Sequence, residues 1–376
     1  MAASTFTALS IAVMRITDVI DVLERWAPPA LQEEYDNSGL QVGDRKAEAR
    51  AALIALDCTE AVVAEAVERG CNLIIAHHPV IFRGLKSITG RNGVERTLLA
   101  AIRGNVAIYA IHTNLDNVIT GVNAEIAARL GVQRIEALDP KPDQLRKLAV
   151  FVPHAHAEAV RQAMFDAGAG RVGLYDECSF NLEGQGTFRG GEGTNAFVGE
   201  KGVRHTEPET RIETIFHASS EHAIVQAMRA AHPYEEVAYD VFPLHNELPG
   251  VGAGAIGTLE RPLTEEAFLE RVKTVFGGAV RHTALLGRPV QRVAFCGGSG
   301  AFLIGRARAA GADAYLTADI KYHQFFEAEG QLLVADIGHY ESERFTMHRI
   351  QAHLREKLPT FAAHLTETVT NPIHYR

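Results

Sequence analysis

From residue 16 the chain alternates between two apolar rhythms. Ile16, Val19, Ile20 and Leu23 recur at helical spacing, Thr17 can cap that helix, and Pro28-Pro29 ends it. RAALIAL (50–56) is a continuous apolar run that predicts a buried strand. EAVVAEAVERG predicts a helix closed by Gly70. NLIIA (72–76) predicts a second strand, which runs straight into His77-His78-Pro79. A helix near 94–103 leads to a third strand, VAIYAI (106–111), ending at HTNLD (112–116), and a helix over 122–130 closes at Gly131. Such alternation argues for a parallel sheet covered by helices.

The rhythm changes at DPKPDQ (139–144), where two prolines and polar residues mark a boundary. Beyond it the pattern predicts strands at 147–152, 172–180, 211–217 and 237–243, with helices near 156–167 and 220–231. That order, β-α-β-β-α-β, resembles the ferredoxin-like unit. GQGTFRGGEGTNAFVGEKG (184–202) holds 7 Gly in 19 residues and reads as a loop rather than a packed element. The GVGAGAIG run after Pro249 reads as a domain junction. Alternation then returns: strands at 255–260, 292–298, ADAYLTA and QLLVAD, a helix near 264–276, another over GSGAFLIGRARAAG, and one long final helix from IGHYESE to the LREKL segment. The expected organisation is a two-half α/β domain, 14–140 and 250–376, with helices around a mostly parallel sheet. An α+β insert at 145–249 interrupts it.

Composition narrows the class. The chain has 376 residues, 47% hydrophobic and 22% charged, which excludes a disordered chain or a disulfide scaffold and suffices for a substantial core. A net charge of −9 lacks the electrostatic footprint of a nucleic-acid binder. No apolar run spans a bilayer, so no membrane role is expected. Residues 1–13 lack a basic start and read as an extension rather than a signal peptide. Cys58, Cys71, Cys178 and Cys296 form no CxxC pair and read as buried structural thiols. The expected location is cytoplasmic.

Candidate chemistry gathers at the predicted strand ends. His77 and His78 follow one strand, and His112, Asn114 and Asp116 another. Asp319, Lys321 and His323 follow ADAYLTA, and His339 and Glu343 follow QLLVAD. Ligands in open α/β sheets gather outside the carboxyl ends of strands. His339 and Glu343, four apart on a helix, share a face. Adjacent His77 and His78 alternate in direction on extended chain, so they suit two metals, one each. Three imidazoles and two carboxylates suit borderline divalent ions such as Zn, Fe or Mn. Weaker signals are GGSG (297–300), a phosphate cradle or a tight turn, and HAHAEAV, a further metal site or a helix start. HPYEEVAYDVF reads as a strand with a polar rim, and DNSG (36–39) as a turn or a pocket loop.

DNSGLQVGD, AHHPVIF, HTNLDNVITGVN and GHYESE together resemble the Nif-three-like dinuclear metal-centre family, homologues of a GTP cyclohydrolase type two. KLAVFVP, GLYDECSF, GQGTF and AHPYEEVAYDVFPL resemble the PII-like insert of its longer bacterial members. The resemblance covers 14–376 and implies a homohexameric ring with two metals facing an internal cavity. It implies that His77 and His339 serve one metal, His78 and Asp116 the other, and that Glu343 bridges. Zinc is the leading choice, with iron or manganese as alternatives. TADIKYHQ departs from the family: Ala318 and Asp319 stand where many members carry a glycine–glutamate pair. The activity implied is metal-dependent hydrolysis of a nucleotide or related phosphorylated heterocycle, a small-molecule substrate. Asp319, Lys321 and His323 are candidates for proton transfer or substrate contact. The alternative is a non-enzymatic metal-binding regulatory or scaffold ring whose insert binds an effector or partner. The insert's position between the two halves also suits a lid.

Overall fold

The computed structural model describes residues 13–376. The expected N-terminal extension, Val13 apart, lies outside the described residues. Among these, no helix is long and apolar enough to cross a membrane. The chain divides into two compact units: the described residues up to Pro140 with Pro249–Arg376, and Lys141–Leu248. In chain order the strands are β1 (Gly39–Val42), β2 (Ala51–Ala55), β3 (Leu73–Ala76), β4 (Ala107–Ala110), β5 (Val132–Pro140), β6 (Leu145–Pro153), β7 (Ser179–Arg189), β8 (Arg204–His217), β9 (Tyr239–Leu244), β10 (Gly252–Leu263), β11 (Arg281–His282), β12 (Val290–Ser299), β13 (Ala314–Ala318), β14 (Leu333–Asp336) and β15 (Ala362–Leu365).

The first unit carries two sheets, ordered β1-β4-β3-β2-β15 and β11-β14-β13-β12-β10-β5. β15, β2, β3 and β4 run parallel in one, and β12, β13 and β14 in the other. The halves exchange strands. β5, from before the insert, pairs with β10, and β15, from the C-terminal half, pairs with β2. β1, β5 and β15 escape the sequence pattern because they are short or carry exposed polar positions that imitate a loop.

Burial explains the continuous apolar runs. Ala52 and Ile54, Leu73 and Ile75, and Ala107 and Tyr109 face a central core. Their alternates Leu53, Ala55, Ile74, Ala76 and Ile108 face the outer helices Glu60–Glu68 and Gly93–Arg103. The second sheet repeats this, with Val293, Phe295 and Leu316 inward and Ala294, Cys296 and Tyr315 outward. A strand buried on both faces loses its polar alternation. Helices Ile16–Trp26, Val122–Leu130, Glu265–Phe276 and Thr346–Lys357 supply the central core from both halves.

Several expectations need correction. The long final helix is two pieces, His339–Glu343 and Thr346–Lys357. The break lets the first piece turn Glu341, Ser342 and Glu343 inward while the second packs Ile350 and Leu354 on the core. Thr17 does not cap its helix. Arg15 is the cap residue, and its backbone N–H donates to Asp18 Oδ2 at 2.7 Å. GVGAGAIG follows directly on the boundary between the two units, as expected of a junction, and also opens β10. Cys58, Cys71 and Cys296 are buried, but Cys178 is only half-buried, and all four thiols are free.

The second unit has its own core, centred on Leu148, Val150, Val152, Val160, Ile212 and Met228. Its element order is β-α-β-β-α-β, with sheet order β7-β8-β6-β9 and every pair antiparallel. The glycine-rich stretch is partly strand. β7 and β8 pair from Ser179↔Thr214 to Arg189↔Arg204, leaving only 190–203 as loop. The expected strand at 172–180 therefore starts later, at Ser179. β7 is largely exposed, so backbone pairing, not an apolar face, carries it.

After β15 the chain is tied down by Glu65. Its carboxylate accepts from Thr366 Oγ1 (2.6 Å), Glu367 N (2.9 Å), Thr368 N (3.1 Å) and Thr368 Oγ1 (2.7 Å). Burial opposes ionisation, but the Thr366 hydroxyl and the Glu367 amide outweigh it and hold the carboxyl down at about 2, from 4.5. A depressed carboxyl contributes stability above its unfolded value, and this is lost as pH falls toward 2. Glu65→Ala is expected to cost about 1–3 kcal/mol and to speed amide exchange at 366–368. Unchanged exchange there would contradict the anchoring.

Candidate metal centre

The carboxyl ends of the parallel strands of both sheets converge on one point. His77 and His78 continue β3: their backbone N–H groups donate to the carbonyls of Ala55 and Leu56. His112 lies just past β4, and helix Thr113–Asp116 then presents Asp116. Asp319 leaves β13 in the left-handed region at φ 55, which aspartate tolerates. β14 leads through Gly338, φ 85, into the short helix that carries His339 and Glu343.

Glu343 is the hub, 3% exposed. Its Oε2 lies 3.0 Å from both His78 Nε2 and His339 Nε2, and Oε1 lies 3.9 Å from His77 Nε2. His77 Nε2 is 3.6 Å from Asp116 Oδ1, and His78 Nε2 is 3.4 Å from His339 Nε2. Two groups share Glu343: His77 with Asp116, and His78 with His339. The pairing implied by the family resemblance, His77 with His339 and His78 with Asp116, is not the nearest-neighbour arrangement here. A third group joins His112 to His77 and His78.

Each imidazole is oriented from behind by its other nitrogen. His77 Nδ1 meets the Ile111 carbonyl at 2.8 Å. His78 Nδ1 meets Asp57 Oδ1, His112 Nδ1 meets Asp36 Oδ1, and His339 Nδ1 meets Asp319 Oδ2, each at 2.7 Å. Such partners fix tautomer and ring direction in metal sites. They also set the charge state. Burial opposes charge on His78, but Asp57 and Glu343 raise its pKa to about 10. Burial likewise opposes charge on His339, but Glu343 and Asp319 raise it to about 11. Burial would raise Glu343, yet His339 and its hydrogen bonds hold it well below the usual carboxylate range. Burial and the Glu343 charge push Asp116 up to about 7.

The residues fit a metal. His77 Nε2 and Asp116 Oδ1 are buried and have no hydrogen-bond partner among the described residues. Buried donors and acceptors left unpaired are costly, and a cation is the partner that both accept. Glycine keeps the space open. A Cβ at Gly298, φ +59, would stand 2.2 Å from Glu343 Oε1 and 3.3 Å from His339 Cε1. GGSG is thus neither a tight turn nor a phosphate cradle: Gly297–Ser299 form the irregular end of β12 against the centre, with Gly298 N–H donating to Ser342 Oγ at 3.0 Å.

His77, His78, Asp116, His339 and Glu343 come together, and Asp319 joins them as a positioning residue behind His339. Lys321 and His323 make no hydrogen bond or ion pair with the cluster among the described residues. Both are exposed, and His323 lies against Tyr322 and Phe326. HAHAEAV starts a helix, and His154 bonds Thr210. DNSG proves to be a supporting loop: Asp36 holds His112, and Ser38 Oγ donates to Asn114 Oδ1 at 2.8 Å. Sequence reasoning missed Asp57, although a carboxylate directly after the apolar run RAALIAL carried the same strand-end signal.

A family described as Duf34/NIF3 (NGG1p interacting factor 3) matches residues 14–372. The chain belongs to the Duf34/NIF3 family. A protein of Halalkalibacterium halodurans named GTP cyclohydrolase 1 type 2 homolog is 41% identical over 360 residues, spanning 95% of this chain and 96% of that one. A Bacillus subtilis protein of the same name is 37% identical over 363 residues, spanning 95% and 97%. The crystal structure of a Bacillus cereus protein related to NIF3 covers 97% of this chain and 100% of its own, with TM-score 0.82 and 39% identity. Staphylococcus aureus protein SA1388 aligns with TM-score 0.77 and 28% identity, covering 97% and 99%.

Two predictions follow from the geometry of this Duf34/NIF3 centre. Asp57→Ala and Asp319→Ala are expected to weaken metal affinity about 10–100-fold in chelator competition, with the fold intact. Unchanged affinity in both would remove their positioning role. A ligating imidazole is neutral, so His78 and His339 must each release a proton on loading. Zn²⁺ affinity is therefore expected to rise between about pH 6 and 8, roughly tenfold per unit for each proton released. Calorimetry in buffers of different ionisation enthalpy reads the protons, and pH-independent binding would contradict the assignment.

Proposed function

We propose that this chain is a metal-dependent hydrolase acting on a nucleotide or a related phosphorylated heterocycle. In this reading it uses two divalent ions, zinc first, with iron or manganese as alternatives. The carrying observation is Glu343, whose two oxygens face different histidines, so that one carboxylate can serve two ions. The names of the relatives support the substrate class. His77, His78, Asp116, His339 and Glu343 would hold the ions, with His112 beside them. When bound, a pair of such ions supplies Lewis acidity and water acidified to near neutrality.

The chain's own residues hold the geometry. Asp57, Asp36, Asp319 and the Ile111 carbonyl lock the imidazoles so that no rotation is needed when substrate arrives. Five protein ligands shared by two ions leave positions for water and substrate, which favours an open catalytic site over a closed structural one. The reading includes the homohexamer that the family resemblance implies. Exposed Tyr322 and Phe326 offer apolar surface to another copy.

The test is elemental analysis of chelator-free protein, followed by a nucleotide screen with formate and phosphate detection. About two ions per chain and turnover lost in Glu343→Ala with the fold retained are expected. Equal turnover in that variant would sink the assignment. Full metal content with no turnover across the screen would favour the non-enzymatic regulatory or scaffold ring.

A further inference from the structure

The insert carries a cavity of its own, wholly within residues 151–238. β7, β8, the 190–203 loop and the HPYEE segment enclose a cavity of about 660 Å³, in the range of small-ligand sites. Phe151, Phe188, Phe197, Tyr234, Glu209 and Arg211 line it. Phe151 and Arg211 alternate with Val150, Val152 and Ile212, which belong to the insert's core. The cavity therefore lies on the sheet face opposite that core.

Its wall is held in place. Asn195 N–H donates to both oxygens of Glu235, at 2.9 and 3.1 Å, tying the glycine-rich loop to HPYEE. Gly202 N–H closes the loop base on the Gly190 carbonyl at 2.8 Å. The rings of Phe188 and Phe197 tilt toward Tyr234 at 6.1 and 6.2 Å. Tyr234 OH donates to Glu209 Oε1 at 2.9 Å, and Glu209 is only 8% exposed. A Cβ at Gly186 would come within 2.1 Å of Glu209 Oε2, so glycine there makes room for the carboxylate. The buried Nε of Arg211 has no hydrogen-bond partner among the described residues, while its Nη2 pairs with Glu213 Oε1 at 2.8 Å. These contacts explain two motifs that the metal centre leaves unused.

The chemistry selects a ligand class. Aromatic walls favour a flat ring. A buried carboxylate accepts ring N–H groups. Glu183, Glu209, Glu235 and Glu236 outnumber Arg189 and Arg211 along the lining, which disfavours phosphate. We propose that this cavity binds an uncharged planar heteroaromatic base, of the nucleobase or nucleoside class, stacked among Phe188, Phe197 and Tyr234 with its N–H edge on Glu209.

The test is calorimetric titration of the full chain with guanosine, adenosine and ATP. Binding of at least one nucleoside more tightly than ATP is expected. Phe197→Ala removes a half-exposed ring without threatening the fold, and Glu209→Gln preserves shape. Each is expected to weaken nucleoside binding about tenfold or more while leaving metal content unchanged. Absence of nucleoside binding, binding equal in both variants and the parent, or a preference for ATP that these variants abolish would each overturn the proposal. Metal content and turnover report on the hydrolase reading separately, so the two fail independently.

Discussion

Glu343 buries a carboxylate among three histidines that arrive from two different sheets. An isolated buried charge is strongly unfavourable, and only close, well-oriented counter-charges offset it. The protein meets this demand with imidazoles braced from behind. Their protons balance the carboxylate, and a cation held among them would do the same. The same demand fixes the backbone around it, down to a glycine at 298.

That arrangement requires the two sheets to stay in register with each other, and the topology enforces it. β15 returns from the C-terminal half to pair with β2, while β5 crosses to pair with β10. The central helices bury apolar side chains from both halves in one core. A shift of either sheet would separate His77 and His78 from His339 and Glu343. Packing at interior density resists such a shift, since small displacements already cost contacts.

The insert follows a different logic. Its core is complete on one face of its sheet, with β8 supplying Ile212 and Phe216, which leaves the largely exposed β7 free of packing duty. Glycine and aromatic residues that would weaken a core are useful there. Glycine lets Glu209 lie flat against the strand, and the rings stand as walls rather than filling.

Apolar runs of strand length, helical spacings and glycine stops made the α/β class legible, because residues buried on both faces write that pattern directly. Polar residues at successive strand ends made the five ligand candidates legible for the same topological reason. Short-range pattern could not reveal β1, β5 and β15, whose pairing is decided by distant partners, nor the break at Arg344–Phe345, which reconciles two burial demands. Nor could it show that Lys321 and His323 stay outside the cluster, that His77 neighbours Asp116 and His78 neighbours His339, or that Asp57 braces His78. The sequence by itself determined which candidate ligand side chains the chain carries and at which strand ends. Only the tertiary structure decided which of those groups meet, because distance between side chains from separate sheets is set by packing and strand exchange rather than by position along the chain.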